Sequence, residues 1–229
     1  MTSMQDGLYQ VNHAATLAFP ILFDPKSFKG PNGKDKGDPK YSATFVLKND
    51  HPDLQGLKAK VVEVAKAKWP GRDVIADMKA GAIKLPFSAG EKLIEKRVAK
   101  LKAAGKEDDG KGKFQEGSTV FKAKSDYPPG LGVVANGQIV EVTQDNKAVH
   151  RAAFYFGVQC LFRLNFSAYD GVDEGKPGVT AYLDMVLSLN KGDRLAGRQS
   201  AADIFKGVAG LISTEDPTAG EELADESVF

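Results

Sequence analysis

Residues 153–169, AFYFGVQCLFRLNFSAY, and residues 178–190, GVTAYLDMVLSLN, decide how this chain is read. In the first, Phe154, Phe156, Val158, Cys160, Phe162, Leu164 and Phe166 share one parity. Tyr155, Gln159, Arg163, Asn165 and Tyr169 share the other, with Leu161 as the one apolar intruder. Alternation with period two is the pattern of a half-buried β-strand. In the second stretch Val179, Ala181, Leu183, Met185, Leu187 and Leu189 are expected inward, and Thr180, Tyr182, Asp184 and Ser188 outward. A Gly/Asp/Pro turn separates the two. If they pair, their outer faces join into one surface bearing Tyr155, Arg163, Tyr169 and Tyr182.

Working upstream, residues 118–125 read as a strand whose Lys122 and Lys124 could extend that surface, and residues 131–143 as a hairpin about Asn136-Gly137, a pair suited to two positive-φ turn positions. Residues 13–23 and 41–48 read as strands, the first interrupted at Pro20, which cannot donate to a ladder. Between them lies a loop, Asp24 to Lys40, expected to be mobile and basic, with Lys34, Lys36 and Lys40 among its lysines. Asp50 and Pro52 open a helix to about Trp69 with Leu54, Leu57, Val61, Val64 and Ala65 as its buried stripe. A second helix is predicted from Ser88, paired with Glu91 in a capping box, to Ala104. Its Leu93, Ile94, Val98 and Leu101 face inward and its lysines outward. Lys106 to Gly117 reads as an exposed loop, and a short helix is expected over Ser200–Lys206.

Charge is distributed unevenly. Glu215 to Phe229 holds six carboxylates and no basic side chain, so residues 1–214 carry 31 Lys and Arg against 24 Asp and Glu, a net +7. Too apolar-poor to fold alone, this tail is expected to be disordered. It is either a plain solvated extension or a flexible arm that lies in the protein's own cationic groove and docks elsewhere through Phe229, with Asp225 and Glu226 beside it. One cysteine, Cys160, allows no internal disulfide and suits a reducing compartment. No stretch reaches the roughly 18–20 apolar residues of a membrane span, and a soluble intracellular protein is expected.

A sheet face with rings, an arginine and lysines suits single-stranded nucleic acid, because bases stack on flat rings for about 1–3 kcal/mol each while cations follow the phosphates. Any one tyrosine could equally be an amphipathic side chain covering the edge of the core, and lysines on a helix read most simply as a solvated face. Their shared face is what informs. His13, His51 and His150 stand far apart without a Cys or carboxylate at metal-ligand spacing. There is no Gly-rich phosphate loop ending in Lys-Ser or Lys-Thr and no Gly-x-Ser-x-Gly elbow. Asp24, Asp35 and Asp38 lack calcium-hand spacing. No enzyme activity, metal or cofactor is expected.

Lys40-Tyr41-Ser42, Phe156-Gly157-Val158, the Gly178-Val179 strand with Leu183 and Val186, and Gly192-Asp193-Arg194-Leu195 ahead of Ala201 to Phe205 form a pattern. In these the chain resembles bacteriophage single-stranded DNA-binding proteins with an oligonucleotide/oligosaccharide-binding (OB) fold, over roughly residues 10–207. The order strand, basic loop, strand, helix, then further strands fits an elaborated, mainly β OB barrel with its helix displaced. On that basis residues 1–207 would be one DNA-binding domain with helical and basic inserts at about 50–117, and residues 208–229 a flexible acidic tail. The resemblance implies binding of single-stranded DNA with little sequence preference, without a cofactor, in replication, recombination or repair, in the cytoplasm of an infected bacterium. It also implies recruitment of replication or recombination proteins through the tail, and leaves homo-oligomerisation open. A single-strand annealing protein and a phage tail or baseplate component are the two other classes that share these features.

Overall fold

The computed structural model describes residues 7–29, 35–171 and 175–195, all within a compact unit that ends at Ala196. Lys34, the expected helix at Ser200–Lys206, and Asp225, Glu226 and Phe229 of the tail lie outside these residues, as does the side chain of Lys36. In chain order the strands are β1 (Leu8–Gln10), β2 (Ala15–Lys29), β3 (Asp35–Lys48), β4 (Phe87–Ala89), β5 (Ser118–Ser125), β6 (Gly130–Ala135), β7 (Gln138–Glu141), β8 (Gln159–Tyr169) and β9 (Gly178–Ser188). The helices are α1 (Leu54–Lys68), α2 (Val74–Lys79), α3 (Gly90–Ala103) and the single turn α4 (Lys147–His150).

Five strands close on themselves. β2 pairs with β3, β3 with β5, β5 meets β9 in parallel at Lys124 and Tyr182, and β9 runs antiparallel to β8. β8 returns to β2 through Ala15↔Cys160 and Thr16↔Gln159. Numbered within the barrel, the order is first, second, third, fifth, fourth and back to first, which is OB connectivity. Inward parity fills the barrel with Leu17, Phe45, Leu47, Phe121, Phe162 and Leu164, all buried. The rings of Phe45 and Phe162 stack across it at 3.8 Å between centroids.

The α1 stripe of Leu54, Leu57, Val61 and Ala65 is buried as expected and packs against β8 and β9. Ahead of it, the Asp53 carboxylate accepts the backbone N–H groups of Asn12 and His13 at 3.0 and 2.8 Å and lies 3.0 Å from His13 Nδ1. Burial raises its pKa, but these contacts outweigh burial and hold it below the usual carboxylate range. The Asn136-Gly137 turn also forms as expected, with φ of 50° and 76°.

Four expectations are corrected. The basic loop is a continuation of β2 and β3, whose irregular pairing runs through Lys26↔Lys40 to Lys29↔Asp35. Ser88 lies in β4 opposite Val120, so no capping box forms; α3 starts at Gly90, and the Glu91 carboxylate accepts the Gly117 N–H at 2.9 Å instead. In β9 an extra residue, Asp184, intervenes between Leu164↔Leu183 and Arg163↔Met185. That bulge inverts parity, so Val186 and Ser188 are buried while Met185 is exposed and Leu187 half-buried. Finally, β8 begins only at Gln159, and residues 154–158 are not a strand.

Gly157 is the cause of that late start. Its φ is 108°, and a Cβ there would fall 1.9 Å from the carbonyl oxygen of Asp193. Gly192, at φ 122°, faces it, with a Cβ position 2.6 Å from the Gly157 oxygen. The two glycines let segment 191–195 cross segment 155–159 at backbone contact, sealed by Gln159 N–H to Lys191 O at 2.7 Å and Leu195 N–H to Phe156 O at 3.0 Å. Gly157→Ala should therefore cost more than about 2 kcal/mol of stability, read as a fall in Tm; an unchanged Tm would show that the strap does not cross here.

Candidate nucleic-acid interface

Register aligns the outward side chains of β2, β3, β5 and β9 into rows. Ala18, Thr44 and Lys122 form one, and Ile21, Ser42, Lys124 and Tyr182 the next. Lys26 and Lys40 lie opposite one another beyond them. Lys122 and Lys124 are exposed, and the Tyr182 ring stands out beside them at 45% exposure. This is a cationic strip with an aromatic ring at one end.

Of the residues singled out from sequence, Tyr182, Lys122, Lys124 and Lys40 come together here. Lys40 reaches Asp126 at 2.6 Å, and that bond raises its pKa, so it stays charged. Arg163 is on the outer face of β8 but ion-pairs with Asp184 across the β9 bulge. Tyr169 is exposed further along β8, where its ring covers Gly178; a Cβ at Gly178 would lie 2.6 Å from the phenol oxygen. From Tyr182 it is four residues along the ladder, about 13 Å at 3.3 Å per residue.

Tyr155 is not on the strand face at all. The backbone turn at Gly157 takes it out of β8 register, its hydroxyl donates to Gly192 O at 2.7 Å, and the Arg194 guanidinium lies 4.4 Å over its ring. It clamps the strap. Phe156, expected in the core, is instead half-buried on the outer side of the sheet.

There Phe156 forms a cluster that parity alone does not reveal. Phe19 is 56% exposed and stacks on Phe156 at 4.7 Å, while Phe114 meets both rings edge-on at 6.1 and 5.0 Å. Phe19 occupies a β2 bulge between Ala18↔Thr44 and Ile21↔Ser42, with φ 48°. A bulky residue in the left-handed region is strained, and such strain concentrates at functional positions. The signal available in sequence was the Phe19-Pro20 break in an otherwise apolar strand. Beneath the cluster, Ala18, Val46 and Val120 are covered by Leu93 of α3 and by Phe114, so the insert braces the aromatic end of the strip.

A closed five-stranded barrel with a lysine strip between exposed aromatic rings defines an OB-fold protein with a face suited to a single nucleic-acid strand. The chain belongs to the family described as Enterobacter phage Enc34, ssDNA-binding protein, whose model matches residues 10–217. The fold is similar to the single-stranded DNA-binding protein from bacteriophage Enc34 in complex with ssDNA, at TM-score 0.58 and 17% identity over 84% of this chain and 91% of that one. It is similar also to a second structure of the bacteriophage Enc34 single-stranded DNA-binding protein, at TM-score 0.56 and 16% identity over 88% and 91%. No curated protein matches the chain.

Phe19→Ala should weaken oligo-dT binding by about 1–3 kcal/mol if a base stacks there. Phe19→Gly should show the same loss while relieving roughly 1 kcal/mol of left-handed strain, so it should unfold no earlier than Phe19→Ala. Anisotropy titrations and denaturant melts read the two effects separately. Unchanged binding in both variants takes Phe19 out of the interface.

Proposed function

We propose that this chain coats single-stranded DNA, largely without sequence preference, during phage DNA replication, recombination or repair in the host cytoplasm. The observation that carries the reading is the row geometry: Lys124 in register with Tyr182, Lys122 in the adjacent row, and Phe19 and Phe156 on the same side of the sheet. Membership of the Enc34 family and the likeness to a barrel solved with ssDNA support it. In this reading the phosphates follow the lysines and the bases meet the rings, an arrangement that favours a flexible strand over a stacked duplex.

Titrating fluorescent oligo-dT across salt concentrations tests it. Log K should fall by about 0.7 per log unit of salt for each phosphate neutralised, and Lys122→Ala should shallow that slope by about the same amount. Equal affinity for duplex would reduce the strip to a non-specific basic surface. No binding at low salt would return the chain to the phage structural class.

The tail has a separate role in this proposal. Six carboxylates tethered to a sequence of net +7 compete with DNA for its cations. Phe229, with Asp225 and Glu226, serves a replication or recombination partner. Deleting residues 215–229 should tighten DNA binding, most at low salt where screening is weak, while Phe229→Ala should leave DNA affinity unchanged and abolish partner recruitment. Weaker DNA binding after truncation would defeat the competition mechanism.

A further inference from the structure

Beside the lysine strip lies a groove of about 1010 Å³. Asn165, Ser167, Tyr182 and Asp184 of the outer β8 and β9 surface line it, together with α1 and the segment Ser125–Pro128. Two exposed tyrosines open onto it, Tyr182 and the 79% exposed Tyr127.

Its charge is wrong for a phosphate backbone. The two lysines in the lining are engaged, Lys60 with Glu63 at 2.9 Å and Lys68 with Asp170 at 2.7 Å. The carboxylates of Asp126 and Asp184 also line the groove. Asp126 meets Lys40 through Oδ1, and Asp184 meets Arg163 through Oδ2. A carboxylate has about four acceptor positions on its two oxygens, so one cation leaves each with capacity to accept more. An acceptor-rich groove walled by phenol rings and contiguous, through Tyr182, with the lysine strip matches a nucleobase rather than a sugar-phosphate chain.

We propose that this groove receives a base swung out of the bound strand, stacked on Tyr182 and donating an exocyclic amino group to Asp126. The inference rests on the single-stranded DNA reading above and adds a base preference to it. Cytosine, adenine and guanine each carry an amino donor, and carboxylates accept from cytosine N4 in known readout. Thymine presents two carbonyls flanking a single N–H, and its carbonyls would face the aspartates. A protein that coats any sequence would then still favour amino-bearing bases at one position per site.

The test uses the full-length protein and three oligonucleotides of one length: all dT, all dT with one central dC, and all dT with one central abasic site. Competition by anisotropy should rank the dC oligonucleotide about tenfold tighter than all dT. Asp126→Ala and Tyr182→Ala should each bring that ratio to about one. Phe19→Ala should weaken every oligonucleotide and leave the ratio intact. Asp126 is exposed, so its variant should fold, and because its loss releases Lys40 the ratio is the readout and not the absolute affinity. A wild-type ratio of one, or a ratio surviving both Asp126→Ala and Tyr182→Ala, overturns the base pocket while leaving single-strand binding in place. Failure of all three oligonucleotides to bind at low salt overturns the function itself and the pocket with it.

Discussion

Barrel closure obliges β8 to bond on both flanks, to β9 along its length and to β2 at Ala15 and Thr16, and so fixes how much side chain the interior can hold. Phe45 and Phe162 in contact at 3.8 Å span that space, with Ala43, Ala123 and Ala181 filling the inward positions where another large group would collide. A sheet of five strands cannot curl this tightly with regular pleats, and the bends fall at bulges. Two of them are Phe19-Pro20 in β2 and Asp184 in β9. Each re-aims side chains outward. The exposed ring of Phe19, the exposed Met185 and the Asp184 carboxylate beside the groove are all consequences of closing the barrel.

The same bulges mark where sequence parity stops being informative. Along β3 and β5 the alternation is unbroken, so Phe45, Leu47, Phe121 and Ala123 are inside as the pattern requires, and alternation alone puts Lys122, Lys124 and Tyr182 on one outer face. Parity counts residues, and one inserted residue inverts every assignment beyond it. That is why Met185 and Leu187 are misread in β9 and why Tyr155 and Phe156 are misread ahead of β8. A glycine inside an apparent strand warns of such a break, and Gly157 supplies it ahead of β8. Ser88 is misread for a different reason: its local fit to a helix cap is real, but pairing with Val120 of β5 gives the backbone a tertiary partner instead. The Phe19, Phe114 and Phe156 cluster draws on three distant segments, and only the Phe19-Pro20 break marks any part of it locally.

Counting cations in the sequence overstates what a phosphate would meet. Arg163 and Lys40 are each tied to an aspartate, whereas Lys122 projects from the sheet into solvent. Pairs at this exposure are worth about 0–1 kcal/mol, so they do not lock the cation away. They hold a long side chain in place at little energetic cost and, in the proposed reading, would yield it to a phosphate. Lys40 illustrates the balance: its hydrogen bond to Asp126 raises its pKa and keeps it charged.

Segregation of charge then does what a uniform basic surface cannot. Lysines on β5 and at the start of β3's barrel portion would attract the backbone in the proposed reading, while Asp126 and Asp184 line the neighbouring groove beside Tyr182. A strand bound to the strip as proposed would thereby be confined laterally. Its bases would turn toward the rings of Phe19 on one side or Tyr182 on the other, while the acceptor-lined groove would disfavour its phosphates. If the proposed base pocket holds, this arrangement of charges and rings combines sequence-tolerant backbone binding with discrimination at one base per site.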